Sequence, residues 1–193
     1  MPLDVVILGP PGAGKGTQAR RISADTGIPH IATGDMLRAA IAADTQLGRK
    51  VKSIYDAGDL VPDELMIELI RERLSEEDTA DGFMLDGFPR TLTQAEALDE
   101  MLAGIDRELS VVFQFQLPEE VTITRLVGRA RDEGRSDDAP EVIRHRLEIF
   151  HAQTETLIAY YRTRGILVPI HAERSVGEVF AEVQQALEQV AVR

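Results

Sequence analysis

The apolar run Val5 to Leu8 opens directly into Gly9-Pro10-Pro11-Gly12-Ala13-Gly14-Lys15-Gly16-Thr17, and no other stretch restricts the fold as much. A buried strand has to end there, a glycine-rich turn has to follow, and a helix has to begin at Lys15. Glycines let bare backbone N–H groups converge on anionic oxygens, and the helix aims its positive dipole end at the same point. Several positions in such a turn need φ > 0, which excludes most side chains. Lys15 then supplies a mobile cation for outer phosphates. The bland alternative, a glycine turn with a solvated lysine, does not account for strand, spacing and helix start together, so the pattern is that of a phosphate loop. A generic loop of this kind carries Ser or Thr directly after the lysine, where its hydroxyl touches Mg2+. Here Gly16 holds that place and Thr17 follows. One helical residue rotates a side chain by about 100°, so Thr17 does not inherit the metal contact.

The 193 residues carry 21 Lys and Arg against 33 Asp and Glu, a formal charge of −12. A surface that acidic repels nucleic acid and anionic membranes. Aromatics make up only 5% and tryptophan is absent, which leaves no stacking platform for single strands. Cysteine is absent too, which excludes disulfides, thiolate zinc sites and thiol nucleophiles. The four histidines show no metal-ligand spacing; His145 and His151 read as surface helix residues. The apolar runs are far short of a membrane span, and the first strand begins within a few residues of Met1. A cytoplasmic protein with no membrane and no nucleic-acid partner is the expectation.

Apolar runs alternate with helical stretches along the whole chain, which predicts a single α/β domain: a phosphate-loop three-layer α/β/α fold around a central parallel five-stranded sheet. Strands are expected near Val5 to Leu8, His30 to Ala32, Phe83 to Asp86, Val111 to Gln116 and Ile166 to Ile170. Helices are expected at Lys15 to Thr26, Leu65 to Leu74, Thr93 to Leu102, Glu119 to Ala130, Glu141 to Arg164 and Ser175 to Val190. In the last, Val176, Val179, Phe180, Val183, Leu187 and Val190 recur at helical spacing and cover core. Two segments interrupt the alternation. One helical stretch from Gly34 to Asp44 and on to Tyr55 has no strand and forms an excursion from the sheet. The other, Ala130 to Pro140, is polar, lacks apolar anchors and carries arginines at both ends; it reads as a mobile cover rather than an idle loop.

The remaining clusters point to phosphate chemistry. Phe83 to Asp86 is a strand ending in a carboxylate, where parallel sheets bind ligands. Asp86 is therefore placed to orient Mg2+, directly or through water, although an Asp there also suits a turn cap. Arg38 lies in the first turns of the excursion, where a salt bridge to Asp35 or Asp44 is the plain alternative. Arg125 and Arg129 share one helix face, and Arg131, Arg135, Arg144 and Arg146 follow. So many guanidinium groups beside a polar loop in an acidic chain suggest a clamp on phosphates.

Gly9 to Gln18, Thr33-Gly34-Asp35-Met36-Leu37-Arg38, Asp59-Leu60-Val61-Pro62, Asp86-Gly87-Phe88-Pro89-Arg90 with Gln94, and Arg125-Leu126-Val127-Gly128-Arg129 together resemble the adenylate kinase family over almost the whole chain. The Lys-Gly-Thr order, odd for a generic loop, is ordinary in that family. The resemblance implies reversible transfer of the ATP γ-phosphoryl group to AMP, giving two ADP, with Mg2+ as MgATP. It implies ATP contacts at Gly12, Ala13, Gly14, Lys15, Gly16, Thr17, Arg125 and Arg129, and a backbone contact at Arg174. AMP contacts are implied at Thr33, Arg38, Asp59, Leu60, Val61, Gly87, Phe88, Pro89, Arg90 and Gln94, with Gln94 on the adenine edge. Arg135 and Arg146 are implied to join the two phosphate groups, so the catalytic set is Lys15, Arg90, Arg129, Arg135 and Arg146. Arg131 competes with Arg135, which is favoured because Arg135-Ser136-Asp137-Asp138 fits the family's element.

The short span from Arg129 to Arg146 resembles the short-lid form, without the β-insert and structural zinc of longer relatives. The implied division is a core of 1–31, 62–129 and 141–193, an AMP-binding segment 32–61 and a lid 130–140, in a monomer. A UMP/CMP kinase of the same fold is the near alternative, disfavoured by Thr33 and Gln94. An ATP-dependent switch or binding module is the distant one, and it leaves the arginines without a task.

Overall fold

The computed structural model describes residues 2–133 and 139–191. Five strands, β1 (Leu3–Leu8), β2 (His30–Ala32), β3 (Gly82–Asp86), β4 (Val111–Gln116) and β5 (Leu167–His171), form one sheet in the order β2-β3-β1-β4-β5. Every neighbouring pair is parallel, with Val6 opposite Leu85 and Val112, and Ile31 opposite Leu85. From β1 the chain crosses to the edge strand β2, returns to β3 beside β1, and then runs out on the other side through β4 and β5. That reversal opens a crevice at the carboxyl ends of β1, β3 and β4, where open α/β sheets bind ligands.

Both faces of the sheet's middle are buried, which explains why β1 and β3 are nearly continuous apolar runs rather than alternating ones. Val6, Leu8, Phe83, Leu85 and Val112 point into one core, covered by α4 (Asp63–Leu74), α5 (Leu92–Ala103) and α7 (Pro140–Thr163) through Ile70, Leu98, Leu157 and Tyr161. Val5, Ile7, Met84, Phe113 and Phe115 point into the other, covered by α1 (Lys15–Thr26) and α8 (Val176–Ala191) through Ala19, Ile22, Val179 and Val183. A fully buried side chain of this kind stabilises by about 1.5–3 kcal/mol. The cores therefore make the sheet a rigid platform for whatever stands on its carboxyl edge. Asp4 alone breaks the apolar run of β1, and it is buried against Arg107, whose Nε donates to it at 2.9 Å, and Ser110.

The three-layer architecture is as the sequence predicts, and strand and helix bounds agree to within one or two residues. Three details differ. The excursion is two helices, α2 (Thr33–Ala42) and α3 (Gln46–Ala57), because Asp44 adopts φ 49° and Thr45 caps the second helix by accepting from Gly48 N at 3.0 Å. Next, α6 (Glu119–Glu133) continues three residues past Ala130, so the first part of the expected lid is helix. A short 3-10 turn, Glu77–Thr79, also precedes β3. Residues 134–138, with Arg135 and the middle of the expected lid, lie outside the described residues.

Candidate active site

Strand β1 delivers the chain into the crevice, and the turn after it needs glycine at several points, Gly12 and Gly14 among them. Gly12 has φ 82°, and a Cβ there would lie 3.1 Å from Leu126 Cγ and 3.2 Å from the Thr122 carbonyl oxygen. Gly14 has φ 80° and caps α1 without a side chain, so the first amides of that helix stay open to the crevice. The Lys15 ammonium donates to the carbonyls of Gly9 and Pro10, both at 2.9 Å, which bends it back over the turn. An ammonium has three protons, so one is left for an anion. Burial pushes Lys15 from 10.5 down to about 8; Asp86 opposes the shift, and the charges of Arg90, Arg146 and Arg129 reinforce it. An anion in the crevice would reverse that shift. Ala13 is buried beneath the turn, and Thr17 is exposed beyond it.

Asp86 ends β3 on the opposite wall. Burial alone would raise its carboxyl, but His30 beside it and the charges of Lys15 and Arg90 outweigh burial and hold it below the usual range. His30 Nε2 lies 3.5 Å from Asp86 Oδ2, an ion-pair distance without hydrogen-bond geometry. A Cβ on Gly16 would sit 3.7 Å from the same Oδ2. The missing side chain at 16 therefore leaves open the gap that faces the carboxylate. Among the described residues no group of three or more His, Cys, Asp or Glu could hold a metal by itself. One ionised carboxylate beside a phosphate loop suits an ion such as Mg2+, which keeps most of its waters and arrives with phosphates.

The crevice has a volume of about 450 Å3. Lys15 and six arginines, Arg20, Arg38, Arg90, Arg125, Arg129 and Arg146, line it. A third of the 21 cationic side chains thus face one cavity in a chain of charge −12. The arginines arrive on α1, α2, the turn after β3, α6 and α7, so the cluster is a product of topology and not of local sequence. Arg90 is braced by donation from Nε to the Gly87 carbonyl at 2.8 Å. Arg125 donates to the Ala172 carbonyl at 3.0 Å, tying α6 to the chain after β5. Arg38 pairs with Asp35, as its plain reading suggests, but it also donates to the Tyr55 hydroxyl at 2.5 Å and still lines the crevice. Arg131 is on the exposed last turns of α6. Arg174 stands away from the crevice, 3.6 Å from Glu182.

The other expected residues lie on or behind the wall opposite the phosphate loop, and Thr33, Asp59 and Gln94 do not themselves line the cavity. Leu60, Gly87 and Pro89 line the cavity, and Val61 and Phe88 are buried behind them. Thr33 is buried and donates to the Asp86 carbonyl at 3.3 Å; a Cβ on Gly87 would lie 2.5 Å from its Oγ1. Gln94 is 2% exposed, and its Oε1 accepts from Arg90 N at 2.8 Å. Asp59 is exposed and lies 2.6 Å from His145 Nε2 on α7. Beside it, a Cβ on Gly58 would lie 2.7 Å from Val142 Cγ1 and 3.0 Å from Arg146 Cγ. The tail of the excursion is thus seated on the first turns of α7.

Sequence reasoning missed three contributors. Arg20 follows Lys15 by five residues on α1, and the helical spacing could have drawn attention to it. His30 begins β2 and reaches the site only because β2 pairs with β3. Asp63 opens α4 and holds Gln94, a contact with no local sequence signal.

A sequence profile of the adenylate kinase family matches residues 7–166. The chain is 48% identical over 185 residues to an adenylate kinase of Thermobifida fusca (strain YX), covering 96% of this chain and 98% of the relative. It is 44% identical over 185 residues to an adenylate kinase of Stenotrophomonas maltophilia (strain R551-3), with 96% and 99% covered. With an adenylate kinase of Leifsonia xyli subsp. xyli (strain CTCB07) it shares 49% over 183 residues, 95% of this chain and 92% of the relative.

Proposed function

The chain belongs to the adenylate kinase family, and from that premise we propose that it moves the γ-phosphoryl group of MgATP reversibly onto AMP, yielding two ADP. The observation that carries this reading is the crevice in which Lys15, Asp86 and six arginines meet between two walls. One wall is a phosphate loop suited to a triphosphate. The other, Arg38, Leu60 and Gly87 to Arg90, suits a second, smaller nucleotide.

Phosphoryl transfer asks a protein for alignment and charge neutralisation rather than for a covalent partner. Lys15 and the amides at the start of α1 hold the β- and γ-phosphates of ATP. Arg38 and Arg90 grip the AMP phosphate and aim one of its oxygens along the line of the breaking bond. Arg129 and Arg146, joined by Arg135 from the lid, neutralise charge on the transferring group. Asp86 would help hold the Mg2+ that arrives with ATP, and that ion would supply further charge neutralisation at the phosphates. The AMP phosphate is already largely ionised at neutral pH, so no general base is needed. Closure of segments 32–61 and 130–140 over both nucleotides excludes water, the competing acceptor. Gln94 reads the adenine edge, and the backbone near Arg174 meets the adenine of ATP.

Such an enzyme serves the balance among ATP, ADP and AMP, working as a monomer in the cytoplasm. The acidic composition accords with this setting; among the described residues no helix is long and apolar enough to cross a membrane. The test is an acceptor panel: purified protein and MgATP with AMP, CMP, UMP or GMP in turn. Conversion of AMP well ahead of the others is expected. Preference for UMP or CMP would overturn the assignment of the acceptor.

A further inference from the structure

A glutamine amide keeps its shape when turned by 180°, but the turn exchanges its donor for its acceptor. Gln94 can therefore select a base only if something fixes which way round it sits. Two neighbours do so, each with a single hydrogen-bonding role. The Arg90 backbone N–H can only donate, and it takes Oε1 at 2.8 Å. The Asp63 carboxylate accepts, and it takes Nε2 at 2.7 Å. The carboxylate is held in turn, because Thr91 donates its hydroxyl to the other oxygen of Asp63 at 3.0 Å. Thr91 also accepts from Gln94 N at 3.2 Å, capping α5 and closing a ring of three side chains. A reversed amide would set oxygen against carboxylate and NH2 against N–H, losing both bonds and putting like against like.

One N–H and one lone pair of the amide remain, in a fixed order. A 6-aminopurine offers a ring-nitrogen acceptor beside an exocyclic amino donor. A 6-oxopurine offers a ring N–H beside a carbonyl, the opposite order. A free amide turns to suit either; a locked one suits only the first. We infer that Asp63 is the positioning residue that makes the acceptor site discriminate 6-amino from 6-oxo purine monophosphates, acting through Gln94. Gln94 alone is necessary for that choice and does not suffice. The inference rests on the reading that Gln94 faces the acceptor base.

The experiment measures kcat and KM for AMP and for IMP in the wild type, Asp63→Asn, Asp63→Glu and Gln94→Leu, with melting temperatures for each. Asparagine offers a donor as well as an acceptor and accommodates either amide orientation. In D63N the ratio of AMP to IMP specificity should fall at least about tenfold, the equivalent of one hydrogen bond. The change should fall on the KM of the acceptor and not on that of ATP. D63E keeps an acceptor-only group and should retain most of the discrimination. Equal losses in D63N and D63E, or a D63N ratio equal to that of the wild type while Q94L loses its preference, would overturn the role of Asp63 and leave the reading of Gln94 standing. An unchanged preference in Q94L would overturn that reading and the inference with it. Should D63N fail to fold, Thr91→Val, which releases one oxygen of the carboxylate, should lower the ratio part of the way; no change there would also count against the lock.

Discussion

Lys15 concentrates the electrostatic argument in one atom. Its ammonium is held at about 8 by burial and by neighbouring arginines, a cost that only an anion repays. Lys15→Met should leave the fold intact and lower turnover by several powers of ten, since the charge is most useful where negative charge is shifting; circular dichroism with steady-state kinetics checks both halves. The same placement sets a pH dependence. As pH rises through about 8 the free enzyme loses this proton, so kcat/KM for MgATP should fall, while kcat persists to higher pH because bound phosphate holds the proton. Linkage fixes the matching sign for stability. Between about 8 and 10.5 the unfolded chain binds more protons at this group than the folded one, so its contribution to nucleotide-free stability rises with pH. A pH series of melts on wild type and K15M separates that contribution from the rest.

The excursion is the element whose construction is most easily tested. Helices α2 and α3 touch at Gly48, where a Cβ would lie 2.1 Å from the Ala40 carbonyl oxygen. Backbone cannot yield there as a flexible side chain would, so Gly48→Ala should force the helices apart at about 1–3 kcal/mol. The loss should appear as a lower melting temperature and a raised KM for AMP, with the KM for ATP much less affected. Sequence alone gave no hint of this contact, because it joins residues eight apart across a turn made by Asp44 at positive φ. The strands were legible because burial on both faces leaves few polar positions, such as Asp4, Gln114 and Gln116, to blur them. Helix ends in polar sequence were not: Arg131 to Glu133 carry no stop signal, and α6 simply continues. The phosphate loop was readable from its glycines and lysine. Gln94 was singled out only through family resemblance, and Asp63 not at all, since its contact is with a partner 31 residues away.

At the scale of the molecule, the tail of the excursion rests on α7. Asp59 and His145 meet at 2.6 Å, both half-exposed, where the excursion's tail touches α7. An exposed pair of this kind contributes about 0–1 kcal/mol. His145→Ala should therefore raise the KM for AMP by no more than about fivefold. A much larger loss would mean that the contact does more than steady the closed form. The central claim is that donor and acceptor nucleotides occupy one enclosed, cationic crevice from which water is shut out. Its most direct test follows γ-labelled MgATP through a single turnover with and without AMP. The account predicts label passing into ADP when AMP is present and almost no release of labelled inorganic phosphate in its absence. Rapid release of labelled phosphate without AMP would contradict it.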